Sequence, residues 1–133
     1  MKFILLYFLF IILFFTQNFK TKEESYLDGK EIYEDFCLRC HMSDGKGSRG
    51  IPPLANSDYL LNNINKSIYA IKNGLEGEIV VNSIKYNGIM ESQGLDEEEV
   101  ADVMNYILNS WGNSHKKIIT PKNVLDNEKI INN

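Results

Sequence analysis

Cys37-Leu38-Arg39-Cys40-His41 is the stretch on which the fold turns. Its C-x-x-C-H spacing is the attachment pattern of a c-type haem. On a helical turn, residues i, i+3 and i+4 share one face, so Cys37, Cys40 and His41 point the same way. Two thiols so placed can add to the two vinyl groups of one haem, and the imidazole beside them can meet its iron. The remaining sequence then has to supply a pocket, a second axial ligand and an address outside the cytoplasm. Two haem-free readings lack their context. A thioredoxin-like redox pair at Cys37 and Cys40 wants a βαβ unit. A zinc site using His41 and His115 lacks a compact second ligand pair.

The chain has 133 residues, room for one domain. Lys2 is followed by an unbroken apolar run, Phe3 to Phe15. The run is short for a membrane span, which takes about 20 residues, and fits the core of an export signal. The terminal position and basic start weigh against a buried core helix. The next residues, Thr16-Gln17-Asn18-Phe19-Lys20, contain no small-x-small cleavage pair, and no Cys follows the run to carry a lipid. Residues 1–20 therefore read as a signal peptide or an N-terminal membrane anchor. Losing them removes Lys2 and Lys20 and no carboxylate, which takes the formal charge from −4 to −6. That acidity argues against a nucleic-acid partner and permits steering towards a basic docking patch. Two cysteines allow no wider disulfide framework. In an exported protein an unmodified pair would be expected to oxidise.

Residues 21–27 read as a polar tether, with Asp28 capping a helix that starts near Gly29 and carries Ile32, Tyr33 and Phe36 on one face. Gly45-Lys46-Gly47-Ser48-Arg49-Gly50 formally matches G-x-G-x-x-G. A haem motif precedes it and Pro52-Pro53 follows, so there is no βαβ unit for a dinucleotide, and the glycines are expected to turn a loop around the haem edge. Ser57 caps a short helix through Leu61, and a second spans about 66–72, closed by Asn73-Gly74. Ile79-Val80-Val81 has strand character, and Asn87-Gly88 marks a tight turn. The clearest helix is Leu95 to Ser110. Asp96 and Glu99 form a capping box, Val100, Val103, Met104, Ile107, Leu108 and Trp111 form one apolar stripe, and Gly112 ends it. Residues 114–133 show no periodicity and read as a flexible tail, with His115 exposed in it.

Of the four methionines, Met1 lies in the leading segment. Met42 directly follows His41 and cannot swing to the opposite haem face, and Met104 sits on the apolar stripe as core filler. Met90 is left as the second axial ligand, with a packed core Met as the alternative. A thioether is a soft, neutral ligand, and His/Met ligation raises the reduction potential of haem iron.

Four stretches together resemble the small bacterial class I (monohaem) cytochrome c family. They are Gly29-x-x-x-Tyr33-x-x-x-Cys37-x-x-Cys40-His41, Pro52-Pro53-Leu54, Tyr86-Asn87-Gly88-x-Met90 and Trp111-Gly112, and the likeness runs from about Tyr26 to about Asn113. The resemblance implies an all-α domain over 28–113, with three to five helices around one covalently bound haem c and its first and last helices crossing. It implies thioethers at Cys37 and Cys40, and iron ligation by His41 and Met90. Gly29 would let the last helix cross closely, with Tyr33 packed at the crossing. The Pro52 carbonyl would orient His41, with Pro53 as the competing choice, and Leu54 would pack on the haem. Tyr86 and Asn87 would lie near the haem or Met90. Many relatives follow this Met with Pro, whereas Glu91 here leaves the backbone freer. The implied function is a one-electron carrier, not an enzyme, in an exported respiratory-type chain. It would be periplasmic, soluble or tethered by residues 1–20, and dock donor and acceptor proteins transiently at the haem edge. The alternative is a haem-based gas or peroxide binder or sensor with a labile Met90.

A domain this small buries a modest core, so the haem has to be part of it. The Cys37→Ser, Cys40→Ser double variant is expected to be largely unfolded. Native-like helical circular dichroism with a sharp melt would contradict this.

Overall fold

The computed structural model describes residues 20–131. The Phe3–Phe15 run, and with it the reading of residues 1–20 as signal or anchor, lies outside the described residues except at Lys20.

The tether expected over residues 21–27 is instead the first turns of a helix. α1 spans Lys22–Ile32, and its cap is Thr21, not Asp28. The Thr21 hydroxyl accepts from the Glu24 N–H at 3.2 Å, and the Glu24 carboxylate accepts from the Thr21 N–H at 2.8 Å. This capping box satisfies two otherwise orphaned donors. A π-helical turn over Tyr33–Cys37 follows directly, closed by the Leu38 N–H bonding to the Tyr33 carbonyl five residues back. Such a turn winds in an extra residue and is often found at functional sites. It leads into the short α2, Leu38–His41. Met42, at φ +64°, then breaks the helix.

α3 (Asp58–Asn62), capped by Ser57, and α4 (Ile64–Asn73) come next. Two antiparallel strands follow, β1 (Leu75–Val81) and β2 (Ile84–Met90). Their register runs from Leu75↔Met90 through Gly77↔Gly88 to Val81↔Ile84. The turn between them is Asn82-Ser83, both at positive φ, as a two-residue I′ hairpin requires. Asn87-Gly88, expected to be that turn, lies inside β2.

α5 (Glu97–Ile107) has the Asp96–Glu99 capping box expected of it. It ends earlier than its apolar stripe suggests. The Asn109 amide and the Ser110 hydroxyl donate back to the Asn105 and Tyr106 carbonyls at 2.9 and 2.7 Å, taking acceptors that further helix would use. The stripe from Val100 to Leu108 is buried, but so are Ala101, Asp102, Asn105 and Tyr106 on the remaining faces.

The second covering layer is the segment expected to be a flexible tail. α6, Pro121–Ile131, packs on α5 and α4. Thr120 and Asn123 cap it through side-chain bonds, and proline suits its first position. Val124 is 0% exposed, and the Asn127 amide donates to the Asn65 carbonyl at 2.8 Å. His115 is half-buried, with its backbone held by Asn109 and Lys22.

α1 and α5 make the most extensive packing between helices. At their crossing, a Cβ built on Gly29 would lie 2.0 Å from the Asp102 carbonyl oxygen. Tyr33, Tyr106 and Trp111 close the crossing at ring separations of 5.0–5.4 Å, each such pair worth about 0.5–1.5 kcal/mol beyond burial. Gly29→Ala is therefore expected to destabilise the holoprotein by at least the ~1–3 kcal/mol typical of overpacking, read as a lower thermal midpoint. A midpoint equal to the parent would show that the helices can separate without cost.

Candidate functional site

A cleft of about 620 Å³ opens between the α2 end of the helical body and the hairpin, inside the roughly 300–1,000 Å³ range of cofactor-sized pockets. One wall is the C-x-x-C-H segment. Cys37, Cys40 and His41 all line the cleft, and neither cysteine is in a disulfide. Cys37 is the more enclosed of the two. Burial first, and the neighbouring Cys40 second, push its thiol up to about 11.

His41 is 8% exposed. Its Nδ1–H donates to the Pro52 carbonyl at 3.1 Å, which settles Pro52 over Pro53 as its partner. Because a carbonyl only accepts, this bond puts the proton on Nδ1 and leaves the Nε2 lone pair for a metal. Burial holds the imidazole below its usual pKa against the opposing pull of that carbonyl. A neutral ring is the form that ligates. The loop after His41 is tied down at two points. Tyr33 Oη–H donates to the Met42 carbonyl at 2.7 Å, and Trp111 Nε1–H to the Ser43 carbonyl at 2.9 Å.

The glycines of this loop do different jobs. A Cβ on Gly45 would lie 2.5 Å from the Trp111 ring, and one on Gly47 2.4 Å from the Ile51 carbonyl oxygen, so these two serve packing. Only Gly50 lines the cleft.

The other wall is the hairpin. Pairing places Leu75, Gly77 and Ile79 of β1 on the same face as Met90, Gly88 and Tyr86 of β2, and all six line the cleft. Gly77 and Gly88 stand opposite each other. A Cβ on Gly77 would meet nothing within 4 Å, and one on Gly88 nothing nearer than the Gly50 carbonyl at 4.0 Å. The pair leaves a flat, open strip that side chains would otherwise fill. Together with two unpaired thiols and a prepared imidazole, this suits a flat, largely apolar group such as haem.

Two expected pocket residues fall elsewhere. Asn87 alternates to the outer face opposite Glu78, because strand side chains switch sides at every residue. Leu54 packs against the buried core and is absent from the cleft wall. Its neighbour Pro52 is already turned towards His41. Leu75, Gly77 and Ile79 were not read from the sequence. The period-2 pattern Leu75-x-Gly77-x-Ile79-x-Val81 was the available signal, with a glycine occupying one of its inward positions.

A sequence profile of the cytochrome c family matches residues 26–111, which takes in the crossing helices, the C-x-x-C-H segment and the hairpin. This chain belongs to the cytochrome c family. Cytochromes c carry covalently attached haem c, and Cys37, Cys40 and His41 fit the motif that holds it. The architecture is the class I cytochrome c fold, helices around one haem with α1 and α5 crossing, here with a two-stranded hairpin and an additional helix. The chain is 39% identical over 95 residues to cytochrome c-552 of Thermus thermophilus, covering 67% of this chain and 72% of that one. It is 31% identical over 99 residues to the cytochrome subunit of fructose dehydrogenase from Gluconobacter japonicus. It is 28% identical over 111 residues to the cytochrome c subunit of a quinone alcohol dehydrogenase from Gluconacetobacter polyoxogenes. These matches cover 68% and 72% of this chain but only 20% and 21% of the two subunits.

Gly88→Leu places a branched side chain in the flat strip. It is expected to lower haem c per polypeptide several-fold, measured by pyridine haemochrome against protein. Val80→Leu on the outer face should leave the ratio unchanged.

Proposed function

We propose that the protein is a one-electron carrier whose haem is held through Cys37 and Cys40 and ligated by His41 Nε2 and Met90 Sδ. The observation that carries this reading is that His41 and Met90, from separate elements, line one cleft together with both cysteines. Bound haem c supplies a one-electron couple. The residues around it orient the imidazole through Pro52, cover the site with apolar side chains and leave its mouth open. With His41 and Met90 both given to the iron, no position would be left on it for a substrate, so we read the protein as a carrier and not an enzyme.

Glu91 follows Met90 where many relatives have proline, and a labile Met90 would favour a gas or peroxide binder. Local bonding supports the carrier instead. Met90 is paired with Leu75 at the end of the hairpin. Just beyond it, the Ser92 hydroxyl donates to the Lys72 carbonyl at 2.6 Å, and Lys72 Nζ donates to the Leu95 carbonyl at 3.0 Å and the Glu97 carboxylate at 2.9 Å. These bonds restrain the segment that a proline would have stiffened.

At the mouth, Ile89 is 70% and Phe36 44% exposed, beside Asp35, Arg39 and Glu91. Exposed apolar side chains with a charged rim suit small, transient contacts with donor and acceptor proteins. We place the protein outside the cytoplasmic membrane on the strength of Lys2 and the Phe3–Phe15 run. Among the described residues no helix is long and apolar enough to cross a membrane.

The ferric protein is expected to show the weak far-red band of an iron–methionine sulfur bond, and Met90→Ala to lose it and bind carbon monoxide quickly when reduced. A parent protein that holds haem but lacks the band would favour the binder.

A further inference from the structure

We infer that the working protein keeps Lys20, so that any removal of the N-terminal apolar segment takes place on the N-terminal side of this residue. The inference rests on the export reading above. Lys20 lies outside the residues matched by the family, 26–111, and is nonetheless half-buried and ion-paired to α1 and α5.

Asp102 on α5 is 4% exposed. One carboxylate oxygen accepts from the Ser25 hydroxyl and the other from Lys20 Nζ at 2.6 Å. The same ammonium reaches Asp28 at 2.6 Å and Glu98 at 3.1 Å. Ser25 Oγ in turn accepts from the Asn105 amide at 2.8 Å. The Asn105 side chain pairs with the backbone of Ile119 in both directions, each bond 2.8 Å. A continuous chain of hydrogen bonds thus joins Lys20, α5, α1 and the segment leading into α6.

Burial alone would lower the Lys20 ammonium, but its bonds to Asp102, Asp28 and Glu98 outweigh that and hold it above its ordinary value. It stays charged throughout the physiological range. Without it, three carboxylates lose their shared cation, and the buried one keeps the Ser25 hydroxyl in its place. Asp102 is the buried half of this pair, and a buried charge left without its partner is the costly case.

A new α-amine at Thr21 would not substitute. The Thr21 N–H already donates to Glu24 in the capping box, and a positive charge at a helix N-terminus opposes the dipole. Signal processing favours small residues at the cut. Beyond Lys20, the first small residues are Thr21 and Ser25, and both are bonded into the fold. Any cut is therefore left to the stretch before Lys20, and an uncut chain equally keeps the residue.

The cleft lies beyond the C-terminal end of α1, and among the described residues none before Asp35 lines it. A retained N-terminal segment would be a short leash, since Phe15 to Lys20 spans at most about 18 Å fully extended.

The test is N-terminal mapping by mass spectrometry of the haem-loaded protein expressed from the full-length gene in an exporting, haem-maturing host. A first residue at or before Lys20 is expected. A first residue at Thr21 or later overturns the inference while leaving the export reading intact. A haem-free chain confined to the cytoplasm overturns the export reading and this inference with it. In the full chain, Lys20→Met should melt several degrees below the parent and Lys20→Arg close to it. A Lys20→Met variant that melts with the parent also overturns the inference.

Discussion

The approach of Gly29 to the backbone of Asp102 governs the rest of the molecule. With no side chain at Gly29, α1 and α5 come within a distance that any Cβ would forbid. That approach brings Tyr33, Tyr106 and Trp111 into one aromatic cluster. The cluster in turn positions the haem-motif loop, because Tyr33 and Trp111 hold the carbonyls of Met42 and Ser43. The orientation of His41 thus depends on a helix crossing on the other side of the π-helical turn.

The cleft divides the labour between two kinds of backbone. The helical wall carries Cys37, Cys40 and His41, since one turn of helix can aim all three in a common direction. The hairpin wall carries Met90 and the shape of the cleft. Its inward face is set by the pleat, and the Gly77–Gly88 pair removes side chains where a flat ring needs room. The cytochrome c family supplies the haem and the electron-transfer role. The ion-paired Lys20 and the α6 cover are additions at the two ends of the family-matched region.

Those additions explain where expectation and structure part. α5 reads in sequence as a helix with one apolar stripe, yet its other faces are buried too. The polar residues Asp102 and Asn105 are there because they bond to Ser25, Lys20 and Ile119, and nothing in their local sequence marks those partners. Likewise α6 has few apolar residues and reads as a tail. It folds because Val124 and Asn127 find a prepared surface on α5 and α4. The α1 start is legible in Thr21 and Glu24, three residues apart, whereas Asp28 lies within the helix.

The sequence by itself determined what depends on neighbours along the chain. The C-x-x-C-H spacing identifies the haem attachment, and the Asp96–Glu99 pair starts α5. Tertiary structure decided what depends on distant partners. It chose Pro52 over Pro53 as the carbonyl for His41, and placed Tyr86 inside the cleft and Asn87 outside it. It also made helix of both ends of the domain. Local spacing fixes direction on a single helix turn, whereas the inward side of a strand or the burial of a sparse helix exists only once another element covers it.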